Sequence, residues 1–193
     1  MKRIALLLTL CLGPLLSWGQ NALFVDFGYT YTQLQADLVD RDYVQILDTL
    51  PARLVKVRSQ HADFGYQFHQ GHLYKITMKR RFSSRKAGLE AFEGSMAFVQ
   101  GIGSTLLRME HGKTYRQVVA YTQDHVYEVY LDQRSGKHPE LILKSWYMSH
   151  TPKQAWDREL NLGEGELSLL KDRLVTRFAS PAGRLDSSNS SDH

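Results

Sequence analysis

The sequence has almost no cysteine: one residue in 193, Cys11, inside the apolar run at the start of the chain. A product cut after that run would hold no disulfide, no thiol nucleophile and no thiolate metal ligand. A disulfide scaffold is excluded. Prolines number only 5 and no Gly-X-Y period occurs, which excludes collagen-like and proline-rich chains. Neither sign of charge dominates, with 24 Lys+Arg against 20 Asp+Glu. Hydrophobic residues at 42% supply enough apolar surface for a packed core, so a wholly disordered chain is excluded as well. No apolar run reaches the roughly 20 residues of a spanning helix.

What is present begins with a leader. Lys2 and Arg3 form a basic start, Ile4 to Leu16 an apolar core, and Ser17-Trp18-Gly19-Gln20 a polar exit. Small Ser17 and Gly19 suit the positions before a cut near Gln20, so residues 1–20 read as a signal peptide. Leu10 before Cys11 is bulky where lipidation wants a small residue, which disfavours a lipoprotein. Cleavage removes two bases and no acid. It leaves 22 basic and 20 acidic side chains and a charge of +2, not the +4 of the whole chain. Such a balance does not argue for nucleic-acid binding. The expected location is exported, periplasmic or secreted, with peripheral membrane contact allowed.

Thr30-Tyr31-Thr32-Gln33 fits a capping box, followed by Leu34 and Leu38 at helical spacing, and predicts a helix over 31–39. Residues 43–50 are ambiguous between strand and helix, and 54–58 read as a strand. The clearest β signal is 62–82, where Phe64, Tyr66 and Phe68 alternate with polar neighbours before Gln70-Gly71, and Tyr74, Ile76 and Met78 alternate after it. A two-residue loop would set Tyr66 opposite Lys75. A three-residue loop including His72 would set Tyr66 opposite Ile76 and Phe68 opposite Tyr74. The face argument favours the second. Ser83 or Ser84 caps a helix over 85–100 with Leu89, Phe92, Met96 and Val99 on one stripe, and Gly101 and Gly103 stop it. Strands are expected at 105–110, 115–122, 125–132 and 140–148, joined by short turns. A short helix begins at Thr151-Pro152, and Leu167, Leu170 and Leu174 mark an amphipathic C-terminal helix to about Phe178. Residues 179–193 lack an apolar pattern and read as a disordered tail.

The expected fold class is α+β: one domain over 21–178, a twisted antiparallel sheet with helices packed on one face. Two helix-plus-strands units are one way to build it. The stretch Phe27-Gly28-Tyr29-Thr30, a short helix, then Tyr66-Gln67-Phe68-His69-Gln70-Gly71-His72-Leu73-Tyr74 resembles the helix-then-strands units of small exported bacterial proteins, such as the beta-lactamase inhibitor protein and outer-membrane assembly lipoproteins. The resemblance covers about 27–82 as a pattern of elements. It implies a binding or envelope-accessory role and carries over no catalytic residue.

The most unusual local feature is basic. Lys75, Lys79 and Arg81 share the polar face of one strand, and Arg85 and Lys86 follow in the first turn of a helix. There the helix dipole disfavours each cation by roughly 0.3–1 kcal/mol. A broken local rule points to an anionic partner, while a solvated strand end balanced by Glu90 and Glu93 is the plainer account. His69-x-x-His72 with upstream His61 raises a metal site, but no carboxylate stands at a familiar ligand spacing, and none is assigned. Ser95 lies inside a helix and not on a nucleophile elbow. Gly101-Ile102-Gly103-Ser104 follows a helix, the reverse of a phosphate loop. Asp40-Arg41-Asp42 and the Glu164, Glu166 pair read as polar helix ends. Tyr127, Val129 and Leu131 look like core, whereas Tyr130, between Glu128 and Asp132, looks exposed. An exposed aromatic set on a sheet suits a glycan or a protein.

The leading expectation is a non-enzymatic exported binding or accessory protein of the bacterial envelope. It would contact a protein or an anionic envelope component through a sheet face and the basic stripe, with no cofactor. The alternative is a small exported hydrolase or metal-dependent enzyme using His61, His69 or His72. A third reading, an assembly subunit, requires a large exposed apolar patch or a sticky edge strand.

Overall fold

The computed structural model describes residues 27, 29–39, 45–50, 54–59, 62–135 and 137–152, together with Ala155, Gly165 and Ser168. The leader 1–20, the Asp40-Arg41-Asp42 segment, the amphipathic helix expected to Phe178 and the tail 179–193 lie outside the described residues, except that Gly165 and Ser168 are helical. The chain divides into two compact units, 1–153 and 154–193.

The first unit opens with helix α1 (Tyr31–Val39). Its start is the capping box anticipated from sequence: the Gln33 N–H donates to Thr30 Oγ1 at 3.3 Å, and the Thr30 N–H donates to Gln33 Oε1 at 2.9 Å. Leu34 and Leu38, one turn apart, are its two buried residues. Strands β1 (Gln45–Leu50), β2 (Leu54–Arg58), β3 (Asp63–His69) and β4 (His72–Arg81) follow. Helix α2 (Arg85–Gly101) then leads to β5 (Thr105–His111), β6 (Tyr115–Tyr121), β7 (His125–Asp132) and β8 (Glu140–Tyr147). The ambiguous 43–50 stretch thus contains a strand.

The eight strands form one antiparallel sheet in the order β1-β2-β3-β4-β8-β7-β6-β5. Two helix-then-four-strand meanders give this order when their last strands, β4 and β8, pair with each other. Each meander carries a bulge between its first two strands, at Ile46/Asp48 and at Leu106/Arg108. The architecture is α+β with two described helices of more than one turn.

The core lies between the helices and one sheet face. Leu34 and Leu38 of α1 and Ala91, Phe92 and Val99 of α2 join Val55, Val57, Phe64, Tyr66, Phe68, Ile76, Met78, Val118, Ala120, Val129, Leu131 and Leu141. These strand residues sit at alternate positions, as a half-buried pleat requires. Burial of one such side chain contributes about 1.5–3 kcal/mol, so the two helices are held mainly by their apolar stripes. Ser84 caps α2 by accepting from the Ala87 N–H at 3.2 Å, and the helix ends where the Ile102 N–H donates to Phe98 O and the Gly103 N–H to Gln100 O. Ser95 Oγ bonds its own helix at Ala91 O, 2.8 Å away.

The β3–β4 hairpin corrects one expectation and keeps another. Its loop has two residues, with His69 paired to His72, so His72 is a strand residue. Gln70 and Gly71 both have positive φ, 51° and 81°, the geometry of a type I′ turn. Yet Tyr66 does face Ile76, because the register shifts beyond Gln67/Phe68. The extra residue sits in a bulge at Tyr74 instead of in the loop, and Phe68 faces Leu73.

Candidate functional site: the sheet face opposite the helices

The register lays the second face out in rows. Across β4, β8, β7 and β6 these are Lys75-Trp146-Val126-Tyr121, Thr77-Lys144-Glu128-Val119, Lys79-Ile142-Tyr130-Gln117 and Arg81-Glu140-Asp132-Tyr115. The first two rows are buried except at Thr77 and Lys144, which are half-buried. Trp146 is 0% exposed and Lys75 only 7%, and Val126, Val119, Tyr121 and Glu128 are buried with them. An open, wet face was expected here, and half of it is not open.

Chemistry explains how charges survive in those rows. The Lys75 ammonium lies 5.3 Å from the Trp146 ring centroid, and that of Lys144 lies 5.8 Å from it. Indole is the best cation–π acceptor among side chains. Glu128 is clamped from both sides: Lys144 Nζ is 2.6 Å from Oε2, and Gln117 Nε2 donates to Oε1 at 2.5 Å. A buried carboxylate with a charged partner and a second donor is a satisfied ion pair. Nothing local in the sequence marks this cluster, because Lys75 and Trp146 are separated in the chain by α2, β5, β6 and β7. Only the β4–β8 pairing joins them.

The five candidate cations therefore separate. Lys75 is buried, so it does not belong to an exposed stripe. Arg81 is exposed and pairs across strands with Glu140, Nε to Oε1 3.2 Å. Lys86 pairs with Glu90 one turn on, at 3.9 Å. Lys79 and Arg85 are exposed, and no ion pair to either occurs among the described residues. Arg80, on the helix side, stacks its guanidinium 4.9 Å from the Phe82 ring centroid.

The outer two rows form a mixed strip. Tyr115 and Tyr130 stack, centroids 5.8 Å apart and planes 19° from parallel, with Ile142 next to Tyr130 in register. Tyr130, which looked exposed from its polar neighbours, is half-buried. The Tyr115 hydroxyl donates to Glu110 at 3.0 Å, and that bond raises its pKa, so the phenol stays neutral. Burial, then Asp132, raises that of Tyr130. Asp132 is bound by Arg134 Nε at 2.9 Å, which lowers its pKa. On the far side of β4, Arg58 holds Asp63 at 2.8 Å beside Lys79 in register.

The histidines assemble differently from the expected trio. His61 lies outside the described residues. His69 and His72 face each other across the hairpin, but His72 stacks on His150, 4.6 Å between centroids and 15° between planes. Tyr147 touches His150 at 5.0 Å and His125 at 5.2 Å, and Phe27 closes over His125 at 5.0 Å. Burial lowers the pKa of His125, opposed by Asp124. Burial, then the charge of His72, lowers that of His150. The group is a packed ring cluster. Among the described residues no set of three or more His, Cys, Asp or Glu is placed to hold a metal. His125 and His150 were missed from sequence; His125 opens β7 and His150 lies in the turn after β8, and the pairing of His125 with Tyr147 brings them to one end of the sheet.

No known protein family matches the chain, and no curated protein or solved structure is similar to it. No described helix is long and apolar enough to cross a membrane.

Proposed function

We propose that the protein is an exported, non-enzymatic binding or accessory protein of the bacterial envelope that contacts a protein or anionic partner through the outer strip of its sheet. The observation that carries this reading is the Tyr115–Tyr130 stack beside Ile142, on a rigid sheet and rimmed by exposed Lys79 and Arg81. Aromatic rings cost little side-chain entropy to immobilise and are enriched where proteins bind. Lys79 and Arg85 add positive charge without an ion pair among the described residues to neutralise it. Lys75 is left out of the contact set because it is buried. The resemblance of residues 27–82 to small exported inhibitor and assembly proteins points the same way.

The test compares the protein with a Lys79→Glu/Arg85→Glu variant and a Tyr130→Ala variant. Retention on heparin and on phosphatidylglycerol vesicles is measured at low and high salt, alongside capture from native envelope extract. The reading expects salt-sensitive retention that the charge reversal weakens and a captured component that Tyr130→Ala releases. Equal behaviour of all three proteins would refute this surface. A histidine-based enzyme gains no metal-ligand group from the described geometry.

A further inference from the structure

Strand β5 ends the sheet, and among the described strands only β6 pairs with it. On the helix side of this edge stand two exposed large apolar residues, Leu106 at 49% and Met109 at 42%. An edge strand offers unmade backbone hydrogen bonds and usually carries a device against pairing. Here the bulge at Leu106/Arg108 limits regular strand to Arg108 through His111. The charges on the other side of that segment are not the uniform lysines that repel a copy. They are Arg108 and Glu110, opposite in sign and two residues apart, with Nε and Oε1 3.4 Å from each other.

We propose that β5 is a dimerisation edge whose occupant is a second copy of this chain, joined antiparallel about a two-fold axis through Met109. The pattern selects that register from its neighbours. Centring on Met109 sets Met109 against its own copy and Arg108 against Glu110 of the copy, twice by symmetry. Centring on Arg108 or on Glu110 instead sets like charges directly opposite, which destabilises a strand pair. A two-fold contact is self-complementary and closes at two subunits. It extends the sheet and covers the Met109 side chain. The apolar side chains lie on the sheet face opposite the partner-binding strip, whereas Arg108 and Glu110 share the strip's face, where Glu110 accepts from Tyr115 at 3.0 Å.

The experiment is sedimentation equilibrium of the purified protein over a wide concentration range, with three variants: Arg108→Glu, Glu110→Arg, and the double swap. The dimer predicts a concentration-dependent mass. Each single reversal places like charges opposite at both symmetry-related pairs and raises the dissociation constant by at least ~10-fold. The double swap restores opposite signs and returns the constant to within ~3-fold of the original. Circular dichroism checks that each variant is folded. If a single variant fails to fold, the wild-type protein still decides the matter: amides of 105–111 exchange more slowly at high than at low concentration if β5 pairs. A monomer at every concentration, or a dimer indifferent to both reversals, overturns the proposal.

Discussion

Two glycines of α2 should respond to alanine in opposite directions. In a helix interior, Ala is favoured over Gly by roughly 0.5–1 kcal/mol, because glycine loses more backbone freedom on folding. Gly101, at the end of α2, has nothing within 4 Å of where a Cβ would stand. Gly101→Ala should therefore stabilise by up to ~0.5 kcal/mol, less than the interior value because helix ends fray. Gly88 lies in the first turn of the same helix and is buried. A Cβ there would be 2.7 Å from Pro139 Cγ, 3.1 Å from Pro139 Cβ and 3.4 Å from Leu131 Cδ1. The proline ring cannot swing aside as a flexible chain end can, and its carbonyl accepts the Phe82 N–H at 3.0 Å. Overpacking costs about 1–3 kcal/mol, which outweighs the propensity gain. Gly88→Ala should destabilise by ~0.5–2 kcal/mol net, or a few degrees in Tm. Urea unfolding followed by tryptophan fluorescence and circular dichroism measures both. If Gly88→Ala matches or exceeds the wild type with an unchanged denaturant slope, the close helix–loop approach is not as described.

The histidine cluster sets a pH window. His125 and His150 have pKa values lowered from 6.5, so the unfolded chain binds protons there that the folded chain refuses. Their contribution is whole above pH about 6.5 and is lost as pH falls through the folded values. The urea midpoint should drop between pH 7.5 and pH 5, and a His125→Gln/His150→Gln variant should flatten that drop; a midpoint rising with acid would contradict the cluster. The lowered pKa of Asp132 acts in a separate window, below its ordinary 3.8. Glu128→Leu should cost ~1–3 kcal/mol, since it leaves the partly screened Lys144 beside Trp146 without its counter-charge. Adding Lys144→Met should recover part of that loss, and a double variant no better than the sum of the singles would deny the pairing.

Local rules made much of this fold legible. The capping box at Thr30 and Gln33, the Ser84 cap and the stripe Leu89-Phe92-Met96-Val99 each act within a few residues, and the helices begin where those signals stand. The four later strands follow from alternation between short turns. The hairpin at 63–81 marks the limit of such reasoning. Alternation correctly set Tyr66 against Ile76, but a two-residue turn with a bulge and a three-residue turn without one satisfy the same faces. What distinguished them was backbone geometry at Gln70 and Gly71.

Composition and periodicity by themselves determined a cysteine-poor α+β chain, its two described helices, and which side chains share a face in the regular stretches of strand, though not across the bulges in β1, β4 and β5. Only the tertiary structure decided what each face meets. Pairing β4 with β8 put Lys75 over Trp146 and Lys144 on Glu128, turning a residue that reads as surface charge into interior. Ending the order at β5 left Leu106 and Met109 exposed on the outermost strand. Alternation has a period of two and carries no information about which strand comes next or whether anything covers it. That is settled by contacts between residues far apart in the chain.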